Sequence, residues 1–177
     1  MECERCGLSK TRKNIVVGRG DPTAKVWFVG EAPGNSEDAR GIPFVGASGK
    51  ELNKVLDRVG LGQGSYYITN VVRCRPTSDG FSIRPPTPEE KAVCGEYLKA
   101  DLEAHKPPLV VALGKHAAEF LIGPVASVMA IVGRRFDYEY GKVFVLPHPA
   151  YILRNPRQRA MWEATTKKLG DMIEDSR

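Results

Sequence analysis

Two rhythms alternate along the chain. The first is the short continuous apolar run. Lys25-Val26-Trp27-Phe28-Val29 ends at Gly30, residues 66–72 are β-branched and aromatic, and Leu109-Val110-Val111-Ala112-Leu113 has no polar position. Runs of this kind predict strands, and the last predicts a central parallel strand buried on both faces. The second rhythm is helical. Within 48–59, Leu52, Val55, Leu56 and Val59 recur at spacings of three and four, with Ser48 as the expected N-cap and Gly60 as the stop. Thr87-Pro88-Glu89-Glu90 opens another helix with a capping threonine, a proline where no N–H is needed, and acids at the positive end of the helix dipole. It is expected to run to about His105. A short helix from about Lys115, a strand or hairpin arm within 131–140, a strand over 142–146 and a helix over 158–174 complete the reading.

Strands alternating with helices predict an α/β fold, a three-layer α/β/α sandwich around a mostly parallel central sheet. The 177 residues are read as a single domain. Open sheets of this kind bind ligands outside the carboxyl ends of their strands. That rule selects Gly30-Glu31-Ala32-Pro33-Gly34 after the first run, Asn70 near the end of the second, and Pro147-His148-Pro149 after the last. A carboxylate, an amide and an imidazole at one sheet edge suit cleavage of an N-glycosidic bond. The leaving base needs a donor for its negative charge, which histidine supplies. The cationic sugar or an attacking water needs a carboxylate. An asparagine offers donors and an acceptor to O4 and N3–H of uracil, whereas cytosine presents the opposite pattern at its 4-position.

The loop Gly41-Ile42-Pro43-Phe44-Val45-Gly46-Ala47-Ser48-Gly49 offers Phe44 as a ring to stack on a base, worth about 1–3 kcal/mol. The helix start at Ser48 offers free amides to a phosphate. Prolines on both sides stiffen His148. His105 and His116, near helix ends, are expected to be structural. In Tyr151-Ile152-Leu153-Arg154-Asn155-Pro156-Arg157, apolar tips beside arginines suit a wedge entering a base stack, with Ile152, Leu153 and Arg154 as the candidates.

Composition sharpens this. An apolar fraction of 42% and a charged fraction of 27% are those of a soluble globular protein. No run is long enough to cross a membrane and the N-terminus has no signal-peptide core, so a cytoplasmic protein is expected. The net charge of +5 leans toward a polyanionic partner, with Arg154, Arg157, Arg159, Lys167 and Lys168 near the C-terminus. Four cysteines stand out: Cys3-x-x-Cys6 is a chelating bite, and Cys74 and Cys94 can complete a four-thiolate site. Soft thiolates select zinc or an iron–sulfur cluster.

Taken together, Gly30-Glu31-Ala32-Pro33-Gly34, Gly41-Ile42-Pro43-Phe44-Val45-Gly46, Tyr67-Ile68-Thr69-Asn70-Val71-Val72-Arg73-Cys74-Arg75-Pro76 and His148-Pro149-Ala150-Tyr151-Ile152-Leu153-Arg154 resemble the motifs of the family 4 uracil-DNA glycosylases, from Cys3 to about Asn155. The resemblance implies a [4Fe–4S] cluster, favoured over zinc, on Cys3, Cys6, Cys74 and Cys94. It implies Glu31 as the acid that activates or orients water, and His148 as the group that stabilises the departing uracil anion. Asn70 would read uracil, Phe44 would stack on it, and Gly30, Ala32 and Gly34 would supply backbone around it. Glu37 falls where the family has an acid near the pocket mouth that helps exclude thymine's methyl. The implied partner is uracil-containing DNA, single- or double-stranded, and the implied state a monomer. A catalytically idle iron–sulfur DNA-binding module is the alternative. The stretch between Cys74 and Cys94 is long for the family, and Thr77-Ser78-Asp79-Gly80-Phe81 is expected to form an extra turn.

Overall fold

The computed structural model describes residues 2–175. Its strands are β1 (Arg19–Gly20), β2 (Val26–Gly30), β3 (Tyr66–Asn70), β4 (Leu109–Leu113), β5 (Arg135–Tyr138) and β6 (Gly141–Leu146). Its α-helices are α1 (Asn35–Arg40), α2 (Ala47–Arg58), α3 (Pro88–His105), α4 (Lys115–Ile122), α5 (Pro149–Arg154) and α6 (Arg159–Glu174). The strands form one sheet in the order β1-β3-β2-β4-β6-β5. The inner four are parallel, and β1 and β5 pair antiparallel at the edges.

The strand period of two divides the apolar residues between two cores. Phe28, Ile68, Val111 and Phe144 face one side, with Leu52 and Leu56 of α2, Ile152 of α5, and Trp162 and Leu169 of α6. Trp27, Val29, Tyr67, Val110, Ala112, Val143 and Val145 face the other, with Leu98 and Leu102 of α3 and Ala117 and Ala118 of α4. Every residue of β2, β3 and β4 is buried. Continuous apolar runs, rather than alternating ones, are what a sheet covered on both faces requires.

The expected helix at Thr87 forms with its full capping box: the Glu90 amide donates to Thr87 Oγ1 at 3.2 Å, and the Thr87 amide to Glu90 Oε2 at 2.8 Å. Other boundaries shift. α2 is capped by Gly46, so Ser48 lies inside its first turn and not at the cap. The second strand ends at Asn70, although the Val71 and Val72 amides still donate to Gly30 and Glu31 carbonyls at 3.0 Å. The hairpin arm narrows to β5, and α6 starts at Arg159. β1, α1 and α5 were not expected. β1 is two residues long, and in α1 only Asp38 is buried, so neither carries an apolar rhythm.

α5 changes the reading of the wedge. Ile152 is fully buried (0% exposed) in the core with α2 and α6, so it is not an apolar tip for DNA. The helical turn through 149–154 rotates it inward, while Leu153 stays 39% exposed and Arg154 is exposed. Ile152→Ala is predicted to destabilise the fold by about 2–5 kcal/mol in urea unfolding, the usual cost of a core cavity. Leu153→Ala should cost less than about 1 kcal/mol.

Candidate active site

The chain leaves β2 for α2 on one face of the sheet and leaves β4 for α4 on the other. Loops that part in this way open a crevice at the carboxyl ends of the strands. The register makes the ends level: Gly30 pairs with Asn70, and Leu113 with Leu146. A cavity of about 530 Å³ lies there, and its wall includes Glu31, Ala32, Gly34, Glu37, Phe44, Ser48, Asn70, His148 and Arg154.

Asn70 forms part of this wall. It is 2% exposed, and its Oδ1 is buried with no hydrogen-bond partner among the described residues. An amide oxygen left bare inside a protein is costly, so a ligand that donates to it is strongly favoured. Gly30 does not border the cavity but makes it possible: a Cβ there would collide with Asn70 Oδ1 and the Phe44 ring.

Phe44 is held under strain. Its φ of 54° is a left-handed backbone conformation rare for a bulky residue. Gly49 tolerates it, because a Cβ at 49 would run into the Phe44 carbonyl. Glu37 fixes it from the other side. Oε1 of Glu37 accepts the amides of Val45 at 3.0 Å and Gly46 at 2.8 Å, and Oε2 accepts that of Gly34 at 3.2 Å. One carboxylate therefore ties the Glu31 segment to the Phe44 loop. The Phe44 ring ends 5.9 Å from the His148 ring, between centroids, at 32°.

His148 caps α5: its Nδ1 accepts the Ala150 amide at 3.1 Å. An accepting Nδ1 carries no proton, so the neutral ring bears its hydrogen on Nε2. Burial, with Arg154 and His116 adding to it, pushes the His148 pKa down to about 4. The imidazole is thus a neutral donor at physiological pH. Gly114 lets its segment approach, since a Cβ at 114 would lie 2.9 Å from that of His148.

Glu31 has the opposite displacement. Burial raises its pKa, and the charges of His116, Lys91 and Arg154 work against that rise. His116 was expected to be structural. Its Nε2 lies 3.7 Å from Glu31 Oε2, and its Nδ1 is 3.3 Å from Lys91 Nζ and 3.8 Å from Glu119 Oε2. Its place in the first turn of α4, directly after a central strand, was the available signal.

At the rim, Ser48 lies in the first turn of α2, where amides lack helical partners. Of the C-terminal basic residues, Arg154 borders the cavity and Arg159 is engaged by Glu51 at 2.5 Å. Pro76, Ile83, Arg84 and Pro85, from the loop between Cys74 and α3, add to the wall.

The four cysteines lie on the α3 and α4 side. None is in a disulfide; Cys74 and Cys94 are buried, while Cys3 and Cys6 are partly exposed. Burial lifts Cys74 to about 11 and raises Cys94, while a hydrogen bond from Tyr97 leads the lowering of Cys3. Cys74 and Cys94 belong to the second core, Cys6 and Tyr97 pack against it, and the Tyr97 hydroxyl donates to Cys3 Sγ at 3.4 Å, so the four share one neighbourhood. As they stand, no group of three or more His, Cys, Asp or Glu side chains among the described residues is close enough to grip a metal ion.

The family model of the Uracil DNA glycosylase superfamily matches residues 17–170. The chain is 42% identical over 180 residues to the type-4 uracil-DNA glycosylase of Archaeoglobus fulgidus, covering 97% of this chain and 88% of that protein. The chain belongs to the uracil-DNA glycosylase superfamily, with the type-4 enzymes. The type-4 protein of Thermotoga maritima is 43% identical over 157 residues, covering 87% and 79% of the two chains. That of Sulfurisphaera tokodaii is 35% identical over 181 residues, covering 97% and 80%. A type-5 relative from Pyrobaculum aerophilum matches 55% of this chain at 36% identity. Membership of the superfamily agrees with the α/β fold. Among the described residues no helix is long and apolar enough to cross a membrane.

The Glu37 tie predicts a separable defect. Glu37→Ala strips three backbone amides of a charged acceptor, at about 1–3 kcal/mol in urea unfolding. Its larger effect should be a fall of at least about tenfold in affinity for free uracil, read by inhibition, because a looser Phe44 loop must be ordered on binding. Uracil affinity equal to wild type would show that the loop holds its shape without the tie.

Proposed function

We propose that the chain removes uracil from DNA by hydrolysing its bond to deoxyribose, leaving an abasic site. The observation that carries this reading is the unpartnered Oδ1 of Asn70, in the wall of a cavity shared with Glu31, His148 and Phe44. Uracil N3–H donates to that oxygen, and the Asn70 amide donates to O4. The Phe44 ring stacks on the base. As the glycosidic bond breaks, negative charge gathers on the base, and Nε2–H of His148 donates to it. A neutral donor fixed before the reaction contributes about 10²–10³ in rate. Glu31 orients water toward the sugar and offsets its positive charge. Ser48, Leu153 and Arg154 meet the DNA around the extruded nucleotide. An idle binding module has no need for these three polar groups in one cavity, so it is not favoured.

The resemblance to family 4 implies an iron–sulfur cluster, and the chemistry of four thiols fits one. Four unpaired thiols share a neighbourhood, Arg12 Nη1 approaches Cys74 Sγ at 3.8 Å, and the Arg73 amide donates to Cys94 Sγ at 3.2 Å. Cationic and amide groups of this kind stabilise thiolate charge. Cys3, Cys6, Cys74 and Cys94 would hold the cluster, which would cross-link the N-terminal segment to the loop after β3 and to α3. The reading takes the protein to work as a monomer in the cytoplasm on single- or double-stranded DNA. The purified protein should be brown, with broad absorbance near about 400 nm. A colourless protein with one zinc would overturn the cluster.

The direct test is incubation with a uracil-containing single-stranded oligonucleotide, followed by alkali. Strand scission at uracil is expected, and an intact strand would refute the activity. His148→Ala should slow base release by about 10²-fold or more. Asn70→Asp should raise activity on cytosine relative to uracil. Because burial raises the Glu31 pKa, the single-turnover rate should fall as pH drops through a value above the ordinary carboxylate range, and Glu31→Gln should flatten that limb. The limb should not come from His148, which stays neutral to about 4.

A further inference from the structure

The loop between Cys74 and α3 is a rigid finger with an apolar tip. An isolated bridge pairs Thr77 with Ile83. Inside it, Asp79 Oδ1 accepts the Phe81 amide at 2.8 Å, the Ser82 amide at 2.7 Å and the Thr77 hydroxyl at 2.9 Å. The Arg75 guanidinium donates to the Gly80 and Phe81 carbonyls and to Asn35 Oδ1, and its Nε lies 3.3 Å from buried Asp38. At the finger's base, Arg84 grips both oxygens of Glu90, at 2.6 and 2.8 Å. All this bonding holds up a side chain that touches little: Phe81 is 84% exposed, and Ile83 beside it is 51% exposed. Because the loop backbone is already pinned, an exposed phenylalanine there gives up only its own rotamer freedom on binding a flat partner.

The position of the finger identifies the partner. Ile83, Arg84 and Pro85 are part of the cavity wall, so the tip continues the rim through which a base must enter. The arginines are occupied by Asp38, Asn35 and Glu90, and the tip itself carries the anionic Asp79. Such a tip repels phosphates and suits the face of a base. We propose that Phe81 stacks on an unpaired base next to the extruded uracil in the same strand, with Ile83 packed beside it, as a second apolar DNA contact in addition to Leu153. This rests on the uracil-excising reading of the cavity.

The test uses the full protein and a fluorescent single-stranded oligonucleotide carrying a tetrahydrofuran abasic analogue, with affinity read by anisotropy across a salt series. Phe81→Ala is expected to weaken binding about tenfold, the scale of one lost base stack. Phe81→Trp should bind within about twofold of wild type, with its added fluorescence quenched by the DNA. The slope of log affinity against log salt should stay the same in Phe81→Ala, because no phosphate contact is lost. Inhibition by free uracil should also be unchanged, showing an intact cavity. Wild-type affinity in Phe81→Ala, or a lower salt slope, would overturn the proposal; so would an unquenched tryptophan, which would leave the tip for a protein partner. If wild-type protein releases uracil while Phe81→Ala binds normally, only this inference falls. If wild-type protein releases none, the reading of the cavity falls, and quenching at position 81 still reports whether the finger meets DNA.

Discussion

Everything at the site depends on the register of four parallel strands. Gly30 sits opposite Asn70 and Leu113 opposite Leu146, so the strand ends are level. Asn70 is itself a strand end, and Glu31, Gly114 and His148 follow within two residues of the others. A slip of one residue would turn a side chain to the other face of the sheet. The two cores prevent such a slip, because alternate residues of each strand are committed to opposite helical layers. The packing that stabilises the sheet is therefore also what sets the positions of carboxylate, amide and imidazole.

On that frame, small devices set the chemistry. His148 is neutral because it is half-buried at the cavity and caps a helix with Nδ1, which leaves the donor on Nε2. Glu31 is pushed toward protonation by burial and drawn back by His116, Lys91 and Arg154. Burial displaces the two groups in opposite directions, each toward its neutral form, with charges around the cavity setting the balance. Phe44 needs a strained backbone, a glycine at 49 and a carboxylate at 37 to stay in place. Strain of this kind persists where the surroundings over-determine it.

The parallel strands and α3 were legible because continuous apolar runs and a full capping box are local signals with one physical meaning. So was the grouping of Glu31, Asn70 and His148, since strand ends share an edge in this fold class. What stayed hidden depended on three-dimensional neighbours. Nothing local separates Ile152 from Leu153, yet one helical turn buries the first and exposes the second. Glu37 reads as an acid at a pocket mouth, while its carboxylate is engaged by amides up to nine residues away. His116 follows a central strand, a signal in the sequence, but its contact with Glu31 emerges only when β4 is set beside β2. The resemblance supplied the residue roles, and spacing alone left zinc and iron–sulfur open.

The central claim is that one flat pyrimidine fits among Asn70, Phe44, His148 and Glu31. A crystal structure of the protein with abasic DNA and free uracil tests it most directly. The account predicts uracil lying along the Phe44 ring, its N3–H and O4 edge on the Asn70 amide and Nε2 of His148 within hydrogen-bond reach of its O2. Uracil bound elsewhere, or with its polar edge turned away from Asn70, would contradict it.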